Sequence, residues 1–274
     1  MLNKLNTNIF DNINTKKFDK YIINIANNCI DYINSANINI LNNKTDGTPL
    51  SVADLEVDNI IRKNLNLFNP KIKVLSEEYK FSLDTYLEEY YWIIDPIDGT
   101  RSYISGGEEY TVNIALIYRG EPCLGLIAHP PSKKIWYAKS NQLIIINNRV
   151  QSLYNGSNQS TQDYPVIITS KENNIEMESF VNKFKKPKRI KVSSSLKFCK
   201  LAENEADFYP RFSSISKWDI AAGHAILNAS GGDLIDFNGN SFKYDNKSSN
   251  TGKFIALAKK EIKYKFNVFE LLKS

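Results

Sequence analysis

The sequence predicts an α/β protein built on two sheets. Three observations carry that reading: apolar residues recur at helical spacing near the start, alternating strands follow, and beyond a polar stretch at 151–163 strands and helices take turns. Phe18, Tyr21, Ile22, Ile25, Ala26, Cys29 and Ile33 predict an amphipathic helix over 17–35. A polar, turn-rich segment at 44–51 leads into a second helix, with Leu55, Val57, Ile60, Ile61 and Leu65 on its apolar face and Ser51 as its N-cap. A short strand is expected at 72–75, ending in Ser76-Glu77-Glu78, and a buried one ends at Asp95. Segments 111–118 and 123–128 pair around a turn at Arg119–Pro122, and 134–138 and 143–146 extend the same antiparallel sheet. The first half is thus two helices on a meander.

Gln151 to Asp163 is polar and has no apolar period, so it is the expected boundary between a half spanning 1–160 and one spanning 161–274. Past it, strands at 166–169, 189–192, 207–209, 233–236 and 254–258 are interspersed with helices at 175–184, 196–203, 219–229 and 266–272. That pattern argues a second sheet covered by helices. No internal repeat is present.

With 274 residues, 42% hydrophobic and 12% aromatic, the chain can bury a large core. Its formal charge of +5 comes from 35 basic and 30 acidic residues without a basic block, which suits attraction of a small anionic substrate and indicates no nucleic-acid arm. Cys29, Cys123 and Cys199 are odd in number, far apart and in apolar surroundings, so they read as reduced core thiols in a cytoplasmic protein. Residues 1–18 contain no continuous apolar segment, and the longest apolar stretch, 112–128, is broken by Arg119-Gly120-Glu121-Pro122. Neither a signal peptide nor a membrane span is expected, with peripheral association at the inner face of the membrane left open.

The stretch with most chemistry is Asp95-Pro96-Ile97-Asp98-Gly99-Thr100, where an apolar run stops at two acids, a glycine and a hydroxyl. Such a set suits a metal and a phosphate. An Asp-Gly pair also closes ordinary turns, but a turn needs neither a proline between two acids nor a threonine after the glycine. Asp54 falls at the third position of its helix, where it can close a capping box with Ser51 or serve catalysis. Glu77 at a strand end and Asp219 at a helix start have equally ordinary structural uses. All five acids nevertheless sit at strand ends or helix starts, where a layered α/β protein assembles a site. Mg²⁺ takes such oxygen ligands. The two histidines, His129 and His224, read as structural, and without closely spaced cysteines a zinc site is not expected.

Taken in order, Lys44, Thr48-Pro49, Ala53-Asp54, Glu77-Glu78, the Asp95–Thr100 segment and Trp218-Asp219-Ile220-Ala221-Ala222-Gly223 resemble the inositol monophosphatase superfamily of lithium-sensitive, Mg²⁺-dependent phosphatases. The likeness runs from about Lys44 to Gly232. Within it, the segment 107–117, Ser194-Ser195-Leu196-Lys197-Phe198-Cys199, Ala202-Glu203, Ala206-Asp207 and Tyr209-Pro210-Arg211-Phe212 resemble the 3′(2′),5′-bisphosphate nucleotidase branch.

This resemblance implies a layered αβαβα sandwich of the sugar-phosphatase type, with an antiparallel N-terminal sheet and a mixed C-terminal one. It implies two or three Mg²⁺ ions: Glu77, Asp95 and the Ile97 carbonyl hold one, and Asp95, Asp98 and Asp219 a second. Asp54 and Thr100 orient and deprotonate the attacking water. The substrate is expected among Glu77, Ile97, Asp98, Gly99, Thr100, Arg101, Ser194, Ser195, Lys197, Arg211 and Asp219, with the Gly99 and Thr100 amides on the scissile phosphate. Inositol monophosphatases usually carry a carboxylate near the position of Arg211. A cation there, with Arg101 and Lys197, supplies charge for a second phosphate.

The expected reaction is hydrolysis of the 3′-phosphate of adenosine 3′,5′-bisphosphate to AMP and phosphate, a step of sulfur metabolism. The alternatives are an inositol or other sugar phosphatase and, more distantly, a non-catalytic nucleotide-binding protein. The expected partner is a small phosphorylated nucleotide rather than nucleic acid, with a homodimer left open.

Overall fold

Thr15 accepts the Phe18 amide at its hydroxyl, and from there helix α1 (Lys16–Ser35) buries Phe18, Ile22, Ile25, Ala26, Cys29, Ile30 and Ile33 along one face. The computed structural model describes residues 13, 15–38, 40–43, 49–79, 81–139, 141–148, 150–153, 164–170 and 174–273. Strands β1 (Ile40–Asn43) and β2 (Pro49–Ser51) pair antiparallel. Lys44 and Thr48, part of the expected motif, lie outside the described residues. At the end of β2, Ser51 caps helix α2 (Val52–Phe68): its hydroxyl accepts the Asp54 amide, and the Asp54 carboxylate accepts the Ser51 amide. Such a capped start stabilises a helix by about 1 kcal/mol.

After β3 (Lys73–Ser76) and a 3₁₀ turn at Leu83–Leu87 come β4 (Tyr90–Asp98) and the one-turn helix α3 (Thr100–Ile104). The meander then runs through β5 (Thr111–Tyr118), β6 (Glu121–His129), β7 (Lys134–Lys139), β8 (Gln142–Asn147) and β9 (Val150–Leu153). These form a seven-stranded sheet in chain order, antiparallel except that β3 runs parallel to β4. The β5–β6 turn is tighter than the sequence suggested. Tyr118 pairs with Glu121, leaving only Arg119 and Gly120 at φ of 49° and 77°, the paired positive values of a type I′ turn. Pro122 belongs to β6, beside a register irregularity in the pairing with β5. The expected boundary also starts later than its first residues, since β9 takes Gln151 and Ser152, while 154–163 lies outside the described residues.

The second half continues with β10 (Val166–Thr169), α4 (Ile175–Asn182), β11 (Lys188–Lys191), α5 (Leu196–Ala202), β12 (Phe208–Arg211), a 3₁₀ turn at Lys217–Asp219 and α6 (Ala221–Ser230). It ends with β13 (Asp233–Asp236), β14 (Phe254–Leu257), α7 (Ile262–Lys265) and α8 (Val268–Lys273). The sheet order is β11-β10-β12-β14-β13, parallel on the β10 side and antiparallel around β14, so this sheet is mixed. One expected element divides. The helix placed at 219–229 becomes the 3₁₀ turn ending at Asp219 and then α6, because Ser216 and Asp219 cap each other one turn early. The strand placed at 207–209 starts one residue later and runs to Arg211, with the Asp207 carboxylate before it accepting the Val166 amide.

Alternation along β4 and β5 sets the layers. Trp92, Ile94, Val112, Ile114 and Leu116 face the cluster containing the α1 and α2 apolar residues, whereas Tyr91, Ile93, Ala115 and Ile117 face the other way, toward residues of α5, α6 and the second sheet. Helix α6 lies against β6 closely enough that a Cβ on Gly125 would meet the Ala222 carbonyl at 2.4 Å. On the outer face of the mixed sheet, Phe180 of α4 packs on Phe208 of β12 at 6.1 Å between rings. The result is five layers, αβαβα, with one apolar core spanning both sheets through the α5–α6 layer. The three cysteines are free, Cys29 and Cys199 buried and Cys123 half-buried. Among the described residues no helix is long and apolar enough to cross a membrane.

Candidate active site

The site forms where β4 stops behaving as a regular strand. Its ladder with β5 is continuous to Asp95, opposite Asn113, and resumes only at Asp98, opposite Thr111. Pro96 has no amide to donate, so the break falls where the backbone cannot complete the ladder. Gly99 then turns the chain at φ 96°, and a Cβ there would lie 2.8 Å from the Glu109 carbonyl oxygen. Only glycine fits this turn without strain, and Thr100 opens α3 directly after it.

Three other segments bring their acids to this break. Glu77 follows β3, its amide donating to the Ile94 carbonyl so that the parallel pairing carries one residue further. Asp219 ends the 3₁₀ turn, where its carboxylate accepts the Ser216 amide. Among the described residues, Glu77, Asp95 and Asp219 offer carboxylate oxygens that all lie within 4.8 Å of one another. Asp98 stands beside this trio and lines the same cleft, a space of ≈ 350 Å³ bordered also by Pro49, Ile97, Gly99, Thr100 and Arg101.

Such a grouping is unfavourable by itself. Burial, then the charges of Glu77, Asp98 and Asp219, push the Asp95 carboxyl well above its usual range. Asp219 is raised in the same way by burial, Asp98 and Glu77, against an opposing effect of Lys197. Among the described residues, Asp95 Oδ1 is buried without a hydrogen-bond partner. An orphaned carboxylate oxygen inside an all-oxygen cluster fits a hard divalent cation, which would satisfy the oxygen and offset the repulsion.

Asp54 reaches the site from the first turn of α2. Its Oδ1 accepts the Thr100 hydroxyl at 3.1 Å, while Oδ2 accepts the Ser51 hydroxyl and amide at 2.6 and 2.8 Å. The Ile97 carbonyl lies 3.0 Å from the same Thr100 oxygen. Asp54 thus caps its helix through Oδ2 while Oδ1 meets Thr100, which lines the cleft.

The second-half candidates divide. Ser195 is buried against the acids: its hydroxyl oxygen lies 2.7 Å from Asp98 Oδ2 and 2.8 Å from the Asp219 carbonyl. Ser194 adopts φ 53°, and its carbonyl accepts the ammonium of the nearly buried Lys197. Arg211 does not line the cleft; its guanidinium donates to the Ser170 hydroxyl and the Ser213 carbonyl. The histidines lie apart from the acids, His129 bonded to Ser132 and the Glu108 carbonyl, and His224 facing Tyr244.

Two residues outside the expected set hold the acids in place. Asn113 is buried opposite Asp95, and the signal for it was a lone amide inside the apolar run of β5. Asp58 is buried one helical turn beyond Asp54, where it binds the Ser76 hydroxyl and the Arg62 guanidinium and so anchors the segment carrying Glu77. Its signal was an acid interrupting the inner face of α2.

The sequence model of the inositol monophosphatase family matches residues 15–265. The 3′(2′),5′-bisphosphate nucleotidase CysQ of Buchnera aphidicola subsp. Acyrthosiphon pisum is 35% identical over 249 residues, covering 86% of this chain and 92% of that protein. The protein of the same name from Salmonella typhimurium is 33% identical over 211 residues, covering 75% of this chain and 83% of its own length. Among solved structures, CysQ from Bacteroides thetaiotaomicron, a bacterial member of the inositol monophosphatase family, superimposes with a TM-score of 0.77 at 27% identity, covering 91% of this chain and all of that one. By its sequence, its five layers and the acids gathered at the end of β4, the chain belongs to the inositol monophosphatase family.

Proposed function

We propose that the chain is a Mg²⁺-dependent 3′(2′),5′-bisphosphate nucleotidase that hydrolyses the 3′-phosphate of adenosine 3′,5′-bisphosphate to AMP and phosphate. One observation carries this reading: three separate segments deliver Glu77, Asp95, Asp98 and Asp219 to one cleft beside the Asp54–Thr100 pair. The likeness to two CysQ nucleotidases, each matched over most of its length, supports the substrate class.

In this assignment Glu77, Asp95 and the Ile97 carbonyl would hold one Mg²⁺, and Asp95, Asp98 and Asp219 would hold another. Bound Mg²⁺ supplies charge neutralisation at the phosphate and lowers the pKa of the attacking water. The protein's own part begins with the Gly99 and Thr100 amides, which would hold phosphate oxygens at the start of α3. Thr100 commits its hydroxyl proton to Asp54 Oδ1 and so presents a lone pair to the attacking water. As the water oxygen bonds to phosphorus, its proton passes to Thr100 Oγ1 and the threonine proton to Asp54. Ser51 keeps Asp54 aimed by holding Oδ2. The P–O bond to the ribose breaks, and that oxygen leaves as the 3′-hydroxyl after taking up a proton from solvent. Arg101, which lines the cleft, with Ser194 and Lys197 from the second half, supplies the polar and cationic groups for the remaining phosphate. The first half thus serves metal and scissile phosphate, and the second half the rest of the substrate.

Phosphate release in MgCl₂ tests the reading, with adenosine 3′,5′-bisphosphate compared against inositol 1-phosphate. The nucleotide is expected to show the larger kcat/KM. Faster turnover of the inositol ester would make the protein a sugar phosphatase instead.

A further inference from the structure

The cation cluster draws on both halves of the chain, and one hydroxyl joins them. Ser195 occupies the N-cap of α5 but makes no capping bond to that helix. Its oxygen instead lies 2.7 Å from Asp98 Oδ2, 2.8 Å from the Asp219 carbonyl and 2.8 Å from Asn113 Nδ2. The Asn113 amide is fixed in turn, because its Oδ1 accepts the Thr111 hydroxyl at 3.1 Å and leaves the nitrogen facing Ser195 and, at 3.4 Å, Asp98 Oδ2. Ser195 therefore accepts from Asn113 and has one proton to place between a carboxylate and a carbonyl. The carboxylate is the stronger acceptor. Ser195 and Asn113 are each about 1% exposed, so this geometry is held in the interior.

The consequence concerns Asp98. Its Oδ2 is held by Ser195 and Asn113, while the residue lines the cleft. The Asp219 carbonyl lies 2.8 Å from the same oxygen of Ser195 and competes for its one proton. We propose that Ser195, oriented by Asn113, is a positioning residue that aims Asp98 for cation binding, rather than a contact to the substrate. This rests on the reading that the acids hold a divalent cation. Groups that orient metal ligands in this way typically change metal affinity by 10–100-fold when removed.

The test is Mn²⁺ binding to the full chain by calorimetry without nucleotide, in the wild type, Ser195→Ala, Asp98→Ala and the double variant. Ser195→Ala is expected to weaken Mn²⁺ binding about tenfold or more. The loss should shrink markedly when Asp98 is already alanine, because the residue acts through that carboxylate. In turnover assays the Mg²⁺ concentration for half-activation should rise by a similar factor, while kcat at saturating Mg²⁺ and KM for the nucleotide change little. A purely structural serine would not produce that split. Asn113→Ala reads the same effect if Ser195→Ala does not fold. Unchanged Mn²⁺ affinity in the serine variant, or an equal loss with and without Asp98, overturns the proposal. A wild type that binds no Mn²⁺ overturns the cation reading itself.

Discussion

Thr100 and Asp54 meet across 46 positions of sequence, hydroxyl to carboxylate at 3.1 Å, inside a region from which solvent is almost excluded. The same Asp54 closes the capping box of α2, so a single side chain ties the start of a helix to a hydroxyl that lines the acid cleft. A helix cap is held rigidly by backbone amides, and the aim of Oδ1 benefits from the anchoring of Oδ2.

Asp54→Asn separates the two roles. The amide oxygen can still accept from Ser51, so stability should fall by no more than about 1 kcal/mol. Proton acceptance is lost, and kcat should drop on the order of 10²–10⁴-fold. Phosphate release and urea unfolding on the same preparation check both halves of the statement. A variant that unfolds at much lower urea would show that the cap, not the chemistry, dominates.

Gly99→Ala probes the turn that carries the amides proposed to hold the phosphate. The residue sits at φ 96° and its new Cβ would press on a backbone oxygen, Glu109 O, which cannot swing away like the tip of a side chain. The expected cost is about 1–3 kcal/mol of stability. Because relief of the strain moves the Thr100 amide, turnover should fall more steeply than stability. Equal melting temperature and equal kcat for variant and wild type would show that the turn has room to relax.

Most of the fold was legible because its signals are local. Helical spacing located α1 and α2, and alternation located β5 to β8, since one buried face per element leaves a period in the chain. Tight turns and element ends were less legible: the Arg119-Gly120 turn takes its length from strand pairing, and the early stop at Asp219 depends on a reciprocal cap with Ser216. The site divides in the same way. Asp95, Asp98, Gly99 and Thr100 are contiguous, whereas Asp54, Glu77 and Asp219 carried no signal of their meeting beyond position at element ends and family resemblance. Asn113 and Ser195 show why the remainder was hidden, because their roles exist only as mutual distances between elements 82 positions apart.

His224 should make the protein acid-sensitive. The ring is buried in α6 beside Tyr244, whose hydroxyl lies 3.3 Å from Nδ1, and burial lowers its pKa to about 3. In the unfolded chain the imidazole takes up a proton near its ordinary value of about 6.5. The folded value lies below the unfolded one, so the stability is complete above about pH 6.5 and declines as the pH falls toward 3, where the folded state also binds the proton. Between pH 6.5 and 5 the loss amounts to roughly 2 kcal/mol. His224→Gln, which cannot titrate, should be less stable at pH 7.5 but show a shallower decline on acidification. Parallel pH profiles for wild type and variant, measured by urea unfolding, would remove His224 as the cause.

The acid cluster predicts a conflict between stability and function. Asp95 is buried with one oxygen unpartnered and three other acids raising its pKa, an arrangement that disfavours the folded state until a cation neutralises it. Magnesium should therefore raise the melting temperature, by the equivalent of about 2.7 kcal/mol when present at 100 times its dissociation constant, and EDTA should reverse the gain. Asp95→Asn removes one charge at nearly constant shape. In EDTA this variant should melt above the wild type, because the repulsion is relieved, whereas added magnesium should stabilise it little and turnover should be abolished. Thermal unfolding of both proteins with EDTA and with MgCl₂ distinguishes the outcomes. If Asp95→Asn melts below the wild type in EDTA, the carboxylate contributes to the fold through interactions other than cation binding, and the conflict does not exist.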